Sequence, residues 1–122
     1  MKQGFVKVAS ATPRIRVADP VYNAQVICEQ AKEAAEHGAK IVVFPELCIT
    51  GYTCNDLFLQ ELLLEKAKEA LLTIAEETGQ LETLFLVGLP VDKDGRLYNV
   101  AAVLYRGRIL GCLLYTSPSP RD

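Results

Sequence analysis

A short, continuous apolar run, Ile41-Val42-Val43-Phe44, constrains the fold of this 122-residue chain more than any other feature. Such a run is typical of a strand that is covered on both faces of a parallel sheet. The segment before it, Tyr22 to His37, places apolar residues at helical spacing and is followed by Gly38, which suits a left-handed helix cap. Because the β-rich segment Phe5 to Ser10 precedes that helix, the sequence predicts a βαβ unit with parallel strands.

The rest of the chain also alternates helical and strand patterns, which predicts the α/β class. Turn residues and prolines separate the segments. The predicted elements are a short helix capped by Asn55 or Asp56, a helix over residues 62–78, a strand over 84–89 closed by Pro90, a strand over 97–105, and a hairpin partner that starts at Arg108 after a turn at Arg106-Gly107.

Composition argues against several classes of function. The formal net charge is -2 and no basic run occurs, so nothing favours nucleic acid or an anionic membrane as a partner. No apolar stretch reaches the length of a membrane span, and the first residues lack a signal-peptide pattern, so we expect a cytoplasmic protein. One histidine and four cysteines without a Cys-x-x-Cys pair are too few for a zinc site. Cys28 and Cys48 are expected as small core residues.

Glu46 is the candidate catalytic residue. It directly follows the apolar run and Pro45, whose missing N–H weakens strand pairing and turns the chain out of the sheet. This places a carboxylate at the carboxyl end of a buried parallel strand, where open α/β sheets bind ligands. A desolvated carboxylate in such a place is a stronger general base than one in water. The alternative is a solvated glutamate in an ordinary loop.

The sequence around Glu46 resembles a known family. Val43-Phe44-Pro45-Glu46-Leu47 and Thr50-Gly51-Tyr52 are similar to the glutamate motif of the nitrilase superfamily of carbon–nitrogen hydrolases. Later segments agree with it: Val87-Gly88-Leu89-Pro90, Gly95-Arg96-Leu97-Tyr98-Asn99 and Gly107-Arg108-Ile109-Leu110-Gly111. We assign Tyr98 and Asn99 a structural role at the hairpin. Residues 4–9 and 47–58 most resemble the amino-terminal glutaminase domains of glutamine-dependent NAD synthetases. The resemblance implies the N-terminal part of a four-layer α-β-β-α sandwich.

The resemblance also implies a Glu-Lys-Cys triad, to which this chain contributes Glu46 as general base. Tyr52 matches a tyrosine near the active-site entrance, where it contacts substrate or acts as a gate; the alternative is a packing aromatic in a loop. The triad lysine is expected soon after Gly111 in a Pro-Lys segment, and the nucleophilic cysteine further downstream; the Pro-Lys segment is absent, and Cys112, next to Gly111, is not expected to be that cysteine. Cys48 and Cys54 have no histidine neighbour in the sequence to activate them, so neither is expected as the nucleophile. The truncated chain is therefore predicted to be inactive.

For the parent protein, the resemblance implies glutamine hydrolysis that supplies ammonia to a second domain. That domain uses ATP and magnesium to amidate nicotinic acid adenine dinucleotide, completing NAD biosynthesis as a ligase. No cofactor is expected in the present segment, and the parent is expected to be a homo-oligomer. Two alternatives stay open: a fragment of a stand-alone nitrilase-type amidase, and a non-catalytic interaction module.

Residues 112–122 do not continue the pattern that precedes them. The segment ends in Ser-Pro-Ser-Pro-Arg-Asp, which is unsuited to both strand and helix. It resembles the translation of a sequencing-library adapter. We therefore expect a partial hydrolase domain over residues 1–111 and a foreign tail over 112–122. The alternative is a genuine, disordered C-terminus.

Overall fold

A computed structural model describes residues 7–51, 57–115 and 119–120, which form one mixed sheet and two long helices. The elements are β1 (Val8–Ser10), α1 (Pro20–Glu36), β2 (Ile41–Val43), α2 (Leu57–Glu77), β3 (Leu84–Lys93), β4 (Arg96–Tyr105), β5 (Arg108–Leu114) and β6 (Ser119–Pro120). The strand order is β1-β2-β3-β4-β5, and β6 pairs with β4. The pairs β1-β2 and β2-β3 are parallel, whereas β3-β4 and β4-β5 are antiparallel. The predicted parallel βαβ unit is confirmed.

Helix α1 begins and ends where its sequence signals lie. The side chain of Asp19 accepts a hydrogen bond from the backbone N–H of Tyr22, and Pro20 occupies the first turn, where its missing N–H costs nothing. At the other end the backbone N–H of His37 bonds back into the last turn, and Gly38 follows with φ 86°. These signals direct the chain from α1 into β2.

The two helices pack on each other and cover one face of the sheet. Directly opposed residues of neighbouring strands share a face, and the row Val42, Phe85 and Leu104 is fully buried in the helix-covered core. The opposite face bears exposed apolar side chains, among them Val8 and Val43. The α/β class is thus confirmed, with one helix layer and one sheet layer in the described residues.

Two predicted boundaries are wrong. Helix α2 starts at Leu57 and runs without interruption to Glu77, so a separate short helix before residue 62 does not form; its proposed caps, Asn55 and Asp56, lie outside the described residues. Strand β3 also continues through Pro90 to Lys93.

Pro90 fits inside β3 because of which edge its nitrogen faces. In β3 the carbonyl groups of Leu86 and Gly88 accept hydrogen bonds from Phe44 N and Ile49 N, in the segment that follows β2. Residues two apart on a strand face the same edge, so Pro90 also points its nitrogen toward that edge. Pairing with β2 stops at Leu86. An N–H is therefore not needed at residue 90.

Both hairpins close through two-residue turns with positive φ at each position. Asp94 and Gly95 have φ of 52° and 76°, and Arg106 and Gly107 have φ of 52° and 83°. Such turns match the natural twist of the strands they join. The turn predicted at Arg106-Gly107 is confirmed.

Strand β5 extends beyond the boundary that the sequence suggested. It pairs with β4 as far as Leu114, after a register shift near Val103, and the backbone N–H of Tyr115 then donates to Asn99 O over 2.9 Å. Gly111 therefore does not mark a break in the sheet. The assignment of residues 112–122 to a foreign tail stays a prediction.

None of the helices within the described ranges is long and apolar enough to cross a bilayer.

Candidate active site

Glu46 lies in a compact loop that leaves the sheet at the carboxyl end of β2. Phe44 still bonds to β3 through its N–H, which donates to Leu86 O over 2.9 Å, and Ile49 N donates to Gly88 O over 3.1 Å. Between these two anchors the chain reverses, with Leu47 at φ 53°. The Glu46 side chain is exposed. The predicted position at the strand end is thus observed, but the expected burial is not provided by the described residues.

The loop reaches this position because β3 has a glycine beneath it. A Cβ atom built on Gly88 would lie 2.6 Å from both Leu47 N and Pro45 O, and 3.0 Å from the carbonyl carbon of Glu46. Real side chains do not approach backbone so closely. Gly88 therefore allows the Glu46 backbone to lie directly on the strand.

Asn99, on β4, holds the carboxylate of Glu46. Its Nδ2 donates a hydrogen bond to Glu46 Oε1 over 2.7 Å, although the two residues are 53 positions apart. The Asn99 Oδ1 atom is buried and has no hydrogen-bond partner among the described residues. The sequence assigned Asn99 only a structural role at the hairpin. Its contact with Glu46 could not be foreseen, since it depends on how far β4 runs beside β3.

Asn23 ties the same loop to the segment that precedes α1. This fully buried residue accepts from Arg16 N at 2.6 Å and donates from Nδ2 to Arg16 O at 2.7 Å and to Ile49 O at 2.8 Å. A second tie joins Ala18 N to Thr50 O at 2.7 Å. A buried, fully bonded amide is well suited to fix two loops against each other. No sequence feature indicated this role, because Asn23 lies within an otherwise ordinary helix.

Cys48, two residues from Glu46, is not a reactive thiol. Its sulfur is buried against Gly88, 3.3 Å from the backbone N and 3.6 Å from the carbonyl O. Burial raises the pKa of the Cys48 thiol from 9.0 to about 12, and the hydrogen bond to Gly88 only partly opposes this. A thiol in this state stays protonated near neutral pH. The expectation that Cys28 and Cys48 are core residues is confirmed.

Tyr115, which follows β5, contacts the beginning of the same loop. Its hydroxyl donates to Phe44 O over a long 3.4 Å. Partial desolvation, followed by the nearby Cys48 and Glu46, raises the pKa of the Tyr115 phenol above its ordinary value. The neutral phenol is therefore the donor. Together, Asn99 and Tyr115 contact the two ends of the Phe44–Glu46 segment.

These features, a carboxylate at the end of a parallel strand and a loop seated on a glycine, agree with a family assignment. The sequence matches the carbon–nitrogen hydrolase family over residues 7–115. The chain belongs to the carbon–nitrogen hydrolase family. The match extends through Glu46, Gly88 and Asn99, three of the residues that build the site.

Within the carbon–nitrogen hydrolases, the chain is similar to glutamine-dependent NAD(+) synthetases. It is 38% identical over 110 residues to that of Mycobacterium tuberculosis, which covers 90% of this chain and 16% of the relative. It is 34% identical over 111 residues to that of Thermotoga maritima, which covers 91% of this chain and 19% of the relative. The chain thus spans less than a fifth of the length of these two relatives.

Solved structures show the same fold. A glutamine-dependent NAD(+) synthetase from Cytophaga hutchinsonii superposes with a TM-score of 0.78 at 31% identity, over 88% of this chain and 18% of that one. An amidase from Nesterenkonia sp. superposes with a TM-score of 0.75 at 22% identity, over 96% of this chain and 45% of that one. At the latter identity the likeness establishes the carbon–nitrogen hydrolase fold alone.

The second predicted site residue of this family member, Tyr52, lies outside the described residues, as does Cys54. Within the parts of the chain that are described, no group of three or more His, Cys, Asp or Glu side chains is arranged to hold a metal ion. Among the residues that the structure describes, the site consists of one carboxylate, with amide and phenol groups around it.

Proposed function

We propose that Glu46 is the general base of a glutaminase site and that this chain is the amino-terminal part of a glutamine-dependent NAD synthetase. The observation that carries the proposal is the similarity to such synthetases over about nine-tenths of the chain, including the loop that presents Glu46. The geometry supports it, because the loop is fixed to β3 at both ends while the carboxylate itself stays accessible.

In the proposed reaction, Glu46 removes the proton from a cysteine thiol. The S–H bond breaks, an O–H bond forms on the carboxylate, and the thiolate attacks the side-chain amide carbon of glutamine. A lysine stabilises the charge that develops on the carbonyl oxygen. The C–N bond then breaks as the protonated Glu46 returns its proton to the leaving nitrogen, so that ammonia departs and a thioester remains. Glu46, again a carboxylate, takes a proton from water as the water oxygen attacks the thioester carbon, and the C–S bond breaks to give glutamate while the cysteine sulfur is protonated again.

The nucleophile and the lysine of this proposal lie outside the present chain. Cys28 and Cys48 are buried and their pKa values are raised by burial to about 11 and about 12. Neither is suited to attack an amide. We therefore predict that the 122-residue chain alone has no glutaminase activity, because a lone base retains little of a triad's rate.

The remaining chemistry belongs to a second domain of the proposed full-length protein. There, ATP and magnesium would activate the carboxylate of nicotinic acid adenine dinucleotide, and ammonia would complete the amide of NAD. A structure of the related synthetase from Acinetobacter baumannii is a complex with adenosine diphosphate, in agreement with a nucleotide site in such proteins. The proposal also includes a cytoplasmic location and a homo-oligomeric parent.

The test compares two nitrogen sources in the full-length protein. The Glu46→Gln variant keeps the shape of the side chain and removes the base. We expect it to lose NAD formation from glutamine by at least about 10³-fold, the scale of a missing triad member. NAD formation from ammonium chloride should be unchanged, because free ammonia bypasses the glutaminase site. Glu36→Gln, at an exposed glutamate on α1, is the matched control.

The alternatives give different results in the same assay. A stand-alone amidase hydrolyses an amide but forms no NAD from either nitrogen source. A non-catalytic module does neither, and Glu46→Gln then changes nothing that can be measured as turnover. Wild-type glutamine-dependent NAD formation that survives Glu46→Gln would contradict the proposed role of Glu46. The similarity to synthetases at 34–38% identity favours the synthetase over the amidase, for which only the fold is shared.

A further inference from the structure

Asn99 links a rigid strand to the side chain of Glu46. Asn99 lies within β4, opposite Pro90 of β3, and its carbonyl oxygen accepts a hydrogen bond from Tyr115 N at 2.9 Å. Its backbone is therefore held on both sides by neighbouring chain segments. From this fixed point its Nδ2 reaches Glu46 Oε1 at 2.7 Å.

The amide can face Glu46 in only one orientation. An ionised carboxylate has acceptors alone, so the NH2 group of Asn99 must point toward it and the carbonyl oxygen must point away. That oxygen is buried without a hydrogen-bond partner among the described residues. An unpaired buried acceptor costs free energy. The contact with the carboxylate is the one described interaction of this side chain that offsets this cost.

Glu46 needs such a contact because it is exposed. A glutamate side chain rotates about three bonds, and an exposed one populates several rotamers. A general base must lie within hydrogen-bond reach of the proton it removes. A strand-borne donor selects the rotamers in which Oε1 stays beside β4 and leaves the second carboxylate oxygen for the thiol.

We propose that Asn99 is a positioning residue that fixes the Glu46 carboxylate for proton transfer, a role beyond the structural one that its place in the hairpin suggests. The inference rests on the proposed function of Glu46. It assigns no bond-breaking step to Asn99. It predicts instead that the turnover number depends on the donor at residue 99, while the binding of glutamine does not.

Two variants of the full-length protein separate the effect of the hydrogen-bond donor at residue 99 from the effect of the size of the side chain. Asn99→Asp keeps the size and, when ionised, replaces the donor by a second carboxylate. Asn99→Ala removes the amide altogether. For both we expect kcat for glutamine hydrolysis to fall by about 10- to 100-fold, the scale of a small misplacement of a catalytic group. KM for glutamine should stay within about twofold, since uniform binding is untouched. Tyr98→Phe, on the same strand and the other face of the sheet, is the control.

The pH profile distinguishes positioning from simple damage. A protonated aspartic acid carries one O–H donor, so Asn99→Asp should recover part of its deficit as the pH is lowered, whereas Asn99→Ala should not. Ammonium-dependent NAD formation reports on the integrity of the rest of the protein and should match that of Tyr98→Phe. This recovery is a result that a purely structural role of Asn99 would not produce.

The possible results decide between the inference and its premise. If Glu46→Gln abolishes glutamine hydrolysis but both Asn99 variants match Tyr98→Phe, the function of Glu46 stands and the positioning role is refuted. If both Asn99 variants lose ammonium-dependent synthesis as well, Asn99 serves folding and the inference is again refuted. If Glu46→Gln is fully active, the proposed function itself fails, and the role of Asn99 fails with it.

Discussion

Replacing Gly88 by alanine gives a quantitative test of how the site is built. The added Cβ would lie 2.6 Å from Leu47 N and Pro45 O, whereas ordinary contacts begin at 3.4 Å. The loop must therefore retreat by about 0.8 Å, the difference between those distances, because both obstructing atoms are backbone and cannot rotate away. If that shift falls along the hydrogen bond between Asn99 and Glu46, the distance from Nδ2 to Oε1 grows from 2.7 Å to about 3.5 Å, beyond the usual range for a hydrogen bond.

Two consequences follow from this displacement in Gly88→Ala. The free energy of unfolding should fall by about 1–3 kcal/mol, the usual cost of overpacking a well-packed site. In the full-length protein, glutamine-dependent turnover should fall by up to about 10²-fold, because a displacement near 1 Å misaligns a base. The first consequence is measured by urea unfolding of the chain followed by circular dichroism, and the second by glutaminase kinetics.

Gly111→Ala provides the control for Gly88→Ala. Both glycines lie in strands, but a Cβ on Gly111 would meet nothing within 4 Å. Alanine there should leave stability unchanged or slightly improved, since it reduces the freedom of the unfolded chain. Equal urea midpoints and equal turnover for the two variants would refute the reasoning, because the loop could then yield at no cost.

Three further predictions concern the surroundings of the site. Asn23→Ala removes three hydrogen bonds and leaves the buried Ile49 carbonyl and two part-buried backbone groups of Arg16 without this partner. The free energy of unfolding should therefore fall by at least about 2 kcal/mol in urea titrations, against no change for Gln25→Ala at an exposed position of the same helix. Site-resolved alkylation followed by mass spectrometry should modify exposed Cys112 quickly and buried Cys48 only at the rate of local opening; equal rates would contradict the described burial. Burial raises the pKa of Cys48 from 9.0 to about 12, so the folded state keeps a proton that the unfolded chain releases above pH 9. Stability should therefore fall as the pH rises through this window, and Cys48→Ala should reduce the slope of that decline.

The order of elements and the place of Glu46 follow from local patterns. The apolar run at residues 41–44, the helix stop at Gly38 and the turn at Arg106-Gly107 act over a few residues each, so the sequence alone shows where the chain is buried, where it ends a helix and where it reverses. The same patterns place Glu46 just after a buried parallel strand. The resemblance to carbon–nitrogen hydrolases was also readable from short segments, and the family match over residues 7–115 confirms it.

Local patterns were misleading about how far a strand extends, because pairing within the sheet decides where it ends. A proline normally ends a strand, yet β3 continues through Pro90. Pairing between β2 and β3 stops at Leu86, so no N–H is needed on that edge at residue 90. Residues 112–122 were likewise not expected to continue the preceding pattern, whereas pairing with β4 carries β5 to Leu114. In both cases a neighbouring strand supplies or withdraws hydrogen-bond partners, and a single sequence does not show its neighbours.

The sequence by itself determined the α/β class, the parallel βαβ unit and the position of one carboxylate at the end of β2. Only the tertiary structure decided what holds that carboxylate. Three contacts each join segments that are far apart in the chain. They are the hydrogen bond from Asn99 to Glu46, the close packing of the Glu46 loop on Gly88, and the hydrogen bonds of the Asn23 side chain. Such contacts arise from strand register and close backbone approach, which depend on distances across the folded sheet and not on the spacing of residues along the chain.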